Sequence, residues 1–153
     1  MRKDLIKQLK EARKLLLKAV KLYPENPSGE WSRKKLLSHI AGWDEEFDRE
    51  VGAIPKILTG GKPTSFKYKV DNWNRISIRK RKGNSEAEIL EEMNRRHSQF
   101  IKLIKSLNEN QLKGFYGTKL RGKDINVLWI INEVISHDNG HAKEIEEKYG
   151  NIT

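Results

Sequence analysis

Apolar side chains recur at three- and four-residue spacing through four long stretches of this 153-residue chain. That period commits the chain to amphipathic helices before any other property is considered. The first stretch runs from about Lys3 to Tyr23 and lines up Leu5, Leu9, Ala12, Leu16, Ala19 and Tyr23. Pro24 and Pro27 close it, because a proline ring cannot continue the helical hydrogen-bond ladder. The second begins after Trp31-Ser32, with Ser32 as its N-cap and Trp31 and Leu36 as a hydrophobic staple. It carries Leu36, Ile40, Trp43, Phe47, Val51, Ile54 and Leu58, with a kink or early end expected at Pro55. The third opens on Ser85, and Glu88 completes a capping box. Ile89, Met93, His97, Phe100, Ile104 and Leu107 follow. The fourth is expected from Asp124, through Val127, Ile131, Val134, His137, His141 and Ile145, to Tyr149-Gly150.

Between the second and third stretches, residues 60–84 mix Gly, Pro, Asn and basic residues with Phe66, Tyr68 and Trp73. A long connection without structure is uncommon unless it serves a site, so Val70 to Arg81 is expected to be helical. Asn108 to Gly117 reads as a turn with a short helical piece. With no convincing strand, the pattern implies an all-α, single-domain helical bundle over residues 1–153, whose interior suits a ligand or metal.

Composition narrows the chemistry. There is no cysteine, which excludes disulfide scaffolds, thiolate metal sites and cysteine nucleophiles. MRKDLIKQLK alternates charge and leucine too quickly for a signal peptide, and no apolar run approaches the ~20 residues of a membrane span. A cytoplasmic protein without a membrane partner is the expectation.

Four histidines are present, and three fall in a meaningful pattern. His137 and His141 project from one face of the fourth helix, one turn apart, toward the expected core. His39 lies beside the apolar stripe of the second helix. Three imidazoles from two helices make a ligand set for a divalent metal with one position left open. The competing reading is of core histidines that simply hydrogen-bond a neighbour, since buried neutral rings need partners for their polar nitrogens. His97 reads as a core side chain or a support for the ligands. Asp44 and Asp138 are candidates to orient an imidazole, with a solvated carboxylate as the competing reading. Trp73, Tyr68 and Tyr116 either line a pocket mouth or cap the bundle. No catalytic residue is assigned.

Trp31-Ser-x-Lys-x-Leu-Leu-x-His39-Ile-Ala-x-Trp43-Asp and Val134-Ile-Ser-His137-Asp-Asn-Gly-His141-Ala-x-x-Ile145 resemble two helix signatures of the DinB-like superfamily. The middle of the chain, Asp71-Asn-Trp-Asn74 through Ser85-Glu-x-Glu88-Ile-Leu to Ser106-Leu-x-Glu-x-Gln-Leu112, is similar to its ClbS/DfsB branch. Together the matches span about residues 5–149. The resemblance implies a four-helix bundle of up-down-down-up type with a long connection between its second and third helices. It also implies a divalent metal, zinc or nickel, on the three histidines, and pairing into homodimers. Relatives include metal-dependent thiol transferases and isomerases acting on small electrophiles. The ClbS branch hydrolyses a genotoxic metabolite, with or without metal. The expected function is therefore a metal-dependent hydrolase or transferase acting on a small electrophilic or toxic molecule. A metal-free ClbS-like hydrolase is the alternative.

The formal charge of +10 suggests one further class. Lys3, Lys7, Lys10, Lys14, Lys18 and Lys21 share a face of the first helix, and Arg33-Lys-Lys35 and Arg79-Lys-Arg-Lys82 form basic clusters. Such a field can neutralise the phosphates of nucleic acid or draw in anionic ligands. The preferred reading is a solvated face, because no known nucleic-acid module is visible.

Overall fold

Helix-forming stretches with polar and glycine punctuation become helices joined by short links. A computed structural model describes residues 1–63, 65–120 and 123–150. Among these, the order is α1 (Arg2–Val20), α2 (Arg33–Gly52), α3 (Ile54–Leu58), α4 (Val70–Lys80), α5 (Glu86–Lys105), α6 (Glu109–Lys113), a two-stranded hairpin of β1 (Lys119–Leu120) and β2 (Lys123–Asp124), and α7 (Val127–Tyr149). The chain clusters into two compact units. One comprises Met1–Arg33 and the chain from Leu128 onward, and the other Lys34–Val127. No helix among the described residues is long and apolar enough to cross a membrane.

In the first unit, α1 buries Leu5, Leu9, Ala12, Leu16 and Ala19, the stripe expected from the sequence. Each fully buried leucine contributes roughly 1.5–3 kcal/mol by leaving water, so Leu9→Ala or Leu16→Ala would be costly. The six lysines of the opposite face are exposed. The helix ends at Val20, three residues short of the expected Tyr23. The backbone tightens there, with Leu22 N–H on the Ala19 carbonyl and Tyr23 N–H on that of Val20. This fits the bias against helix just before a proline. Tyr23 is nonetheless buried. Its ring meets Tyr149 edge-on at 5.4 Å, and its hydroxyl donates to the Trp31 carbonyl at 2.7 Å.

In the second unit, the long apolar stretch is divided. α2 stops at Gly52, and Pro55 sits in the first turn of α3, where a missing N–H does no harm. Leu58, expected in the apolar stripe, is exposed as a result. The α4 helix forms where it was expected, and the Ser85–Glu88 capping box opens α5 with both hydrogen bonds in place. An Asn108–Gln111 box opens α6.

The close packing of α4 on α2 depends on Gly42, where a Cβ would stand only 2.0 Å from the Ser77 hydroxyl oxygen. Trp73 exploits that approach by donating its indole N–H to the Gly42 carbonyl at 3.1 Å.

The structure departs from the expected pattern at Asp124 and at Arg81. The last helix begins at Val127 rather than near Asp124, because Asp124 pairs with Lys119 across the hairpin and Ile125 N–H is taken by the Thr118 carbonyl. Arg81 does not belong to a surface basic cluster. It is 1% exposed, and its guanidinium reaches Glu92 at 2.7 and 2.8 Å, Glu45 at 2.8 Å and the Ser77 carbonyl at 3.2 Å. Arg79, Lys80 and Lys82 stay exposed.

Candidate metal centre

His39 emerges from α2 one turn before Trp43, so the two side chains share a face. The imidazole is buried, and its Nδ1 lies 2.9 Å from Asn74 Oδ1 on α4. Trp43 Nε1 lies 3.0 Å from the same oxygen. An indole N–H can only donate, which identifies that atom of Asn74 as the amide oxygen. The oxygen can only accept, so His39 Nδ1 carries the proton and donates. The lone pair of the ring is therefore on Nε2, the tautomer a metal-binding histidine needs.

His137 and His141 occupy successive turns of α7 and are half-buried, at the edge of the apolar stripe rather than within the core. Their rings meet edge-on with centroids 4.4 Å apart, and their Nε2 atoms are 3.0 Å apart. Two nitrogens about 2.0–2.1 Å from one tetrahedral ion would stand roughly 3.3 Å apart, so the pair is spaced as ligands of one ion are. Burial holds the His141 pKa below the usual imidazole value, which keeps its ring neutral and able to donate a lone pair near pH 7. His39, His137 and His141 are the three histidines that could hold a metal ion. Imidazole nitrogens are donors suited to a borderline ion such as zinc or nickel.

The other candidates are placed differently. His97 is buried on α5 and is not part of this trio. Asp138 is no solvated carboxylate. It is 1% exposed and receives Arg13 Nε at 2.9 Å and Nη2 at 3.3 Å, so a charge on α1 meets its partner on α7. Asp44 is likewise buried, against the solvated reading. Trp73 is 9% exposed and bonded to Gly42; its ring packs 5.3 Å from Tyr68 and 5.8 Å from Phe66. Tyr116 donates to the Gln111 carbonyl at 3.2 Å.

Sequence reasoning missed three residues. Asn74 lies in the Asp71-Asn-Trp-Asn74 stretch, but nothing in the sequence pairs it with His39, 35 positions away. Glu46 and Glu50 had a visible signal, since they repeat with Trp43 and Phe47 at three- and four-residue spacing. Both are buried. Glu46 is raised above the usual carboxylate range by burial, against the pull of Arg49, whose guanidinium it accepts at 2.8 and 3.0 Å. Glu50 meets no hydrogen-bond partner on either oxygen among the described residues. Burial, with the Glu46 charge adding to it and Arg49 opposing, pushes its pKa up to about 8. It therefore keeps its proton at neutral pH.

No curated protein and no solved structure gives a significant match. A family model of the DinB superfamily matches residues 8–145, a span that contains α2, the histidine pair of α7 and Asn74. By that match over most of its length, the chain belongs to the DinB superfamily.

Proposed function

We propose that the protein is a metal-dependent hydrolase or transferase acting on a small electrophilic or toxic molecule. In this reading His39, His137 and His141 hold a divalent ion, zinc or nickel. The observation that carries it is the pair of imidazole Nε2 atoms 3.0 Å apart on α7, with His39 held in the tautomer a metal ligand needs. A bound ion would supply Lewis acidity toward water, a thiol or a substrate oxygen. The chain's own residues do the positioning. Asn74 fixes the tautomer and plane of His39, Trp43 fixes Asn74, and burial keeps His141 neutral. We read the whole chain as one four-helix-bundle domain of up-down-down-up type, on family membership and the four long amphipathic helices.

A second reading, a metal-free hydrolase of the ClbS kind, draws support from Glu50. A carboxyl that stays protonated near pH 7 has a pKa suited to general acid catalysis. Activity that survives chelation would favour it.

Elemental analysis of purified wild type, His137→Ala and His141→Ala after dialysis against zinc or nickel tests the first reading. Wild type should retain about one equivalent and both variants far less, because two remaining imidazoles bind poorly. Proton competition should make retention fall as pH drops below about 6.5. Equal, negligible metal in all three proteins defeats the proposal.

A further inference from the structure

The second unit contains a cavity of about 730 Å³ lined by Ser65 to Asp71 and Lys119, a volume in the range of small-molecule sites. Its wall is a built surface. Phe66 N–H donates to the Lys119 carbonyl at 3.3 Å, Ser65 and Lys119 form a parallel bridge, and Arg49 Nη2 donates to the Ser65 carbonyl at 3.3 Å.

The aromatic side of the wall is continuous. Phe66 lies 5.3 Å from Trp43 and 6.0 Å from Tyr68 between ring centroids. Trp43 and Trp73, the two anchoring rings, are each 9% exposed, whereas Tyr68 is 48% exposed. Such a cluster resists collapse, yet leaves ring surface open at the cavity.

Charge decides what that ring surface would take. Lys67, Lys69 and Lys119 line the cavity against a single carboxylate, Asp71. Aromatic faces attract cations as well as flat rings, but three ammonium groups disfavour a cation here. A purely aliphatic anion would leave the rings uncovered. We propose that this cavity binds a planar conjugated small molecule bearing an anionic group, a carboxylate, sulfonate or phosphate. As the seat of a substrate this rests on the metal-dependent reading above, since Trp43 touches both Phe66 and the Asn74 that holds His39. As a binding site it stands by itself.

Calorimetric titration of the metal-free full-length protein with 2-naphthoate, 2-naphthamide and 2-naphthylmethylammonium tests the proposal. Naphthoate should bind tightest and the ammonium compound weakest. Lys67→Gln/Lys119→Gln should weaken naphthoate about five- to tenfold, as expected for two partly screened ion pairs, and leave the amide unchanged. Tyr68→Ala should weaken all three compounds. Raising salt should weaken naphthoate alone. His137→Ala should bind naphthoate as wild type does, which separates this site from the histidines; if metal retention fails while naphthoate behaves as described, only the catalytic reading falls. The proposal is overturned if naphthoate does not bind, if the ammonium compound binds as tightly, if the lysine substitutions change nothing, or if binding is lost in His137→Ala.

Discussion

Arg81 and Glu50 belong to the same compact unit, and each is only 1% exposed. Arg81 is surrounded by acceptors: two carboxylates and a backbone carbonyl take its N–H groups. Arg96 and Lys80 further balance Glu92 and Glu45. The result is a charged network at the junction of α2, α4 and α5. Among the described residues Glu50 has no hydrogen-bond partner, and it responds by staying protonated. The physical rule is the same in both places, because an ion leaves water only when other charges and donors replace its hydration. A guanidinium cannot give up its charge, so its surroundings had to supply carboxylates. A carboxyl can, and so it is tolerated in a buried place that would disfavour its ionised form.

The largest effect is expected of Arg81→Ala. Glu45 and Glu92 would be left partly buried without their main counter-ion, and unfolding in urea should show a loss of about 3 kcal/mol. Next is Glu50→Gln, read as stability against pH. The folded pKa of Glu50 is raised from 4.5 to about 8, so the wild type loses stability as pH climbs between those values, on the order of 2–4 kcal/mol. The glutamine variant should be flatter across that window. Parallel profiles would mean that Glu50 ionises freely.

Glu92 gives the opposite slope. Burial alone would raise its pKa, but Arg81 and Arg96 hold it at about 2. Its contribution is therefore present above about pH 4.5 and is lost as pH falls toward 2. The group is partly solvated, so Glu92→Gln should cost only about 1–2 kcal/mol at pH 7 and nothing near pH 2. At the foot of the scale stands the exposed pair Lys143–Glu147, 4.0 Å apart. Lys143→Ala should leave the melting temperature where it is; a clear drop would show that exposure is a poor guide to worth in this molecule.

How much of this was legible varied with the distance in sequence over which each cause acts. The apolar stripe of α1, the capping box at Ser85, the α4 segment and the four-residue spacing of His137 and His141 are local patterns, and each could be read directly. Pro55 was recognised as a breaker, but whether it would kink one helix or open another depended on how the chain turned at Gly52. Asp124 resembled an N-cap until Lys119 claimed it across the hairpin. Asp138 resembled a surface carboxylate because its partner, Arg13, is 125 residues away.

The amino-acid sequence by itself determined the helical period, the absence of thiol chemistry, the positive charge and the pairing of two imidazoles on one helix, because these depend on residue identity and on separations of four residues or fewer. Only the tertiary structure decided that Asn74 holds His39 in one tautomer, that Arg81 leaves the basic surface for a carboxylate cage, and that Glu50 keeps its proton. Each is an outcome of desolvation. How much water a side chain loses, and what replaces it, is settled by residues far along the chain.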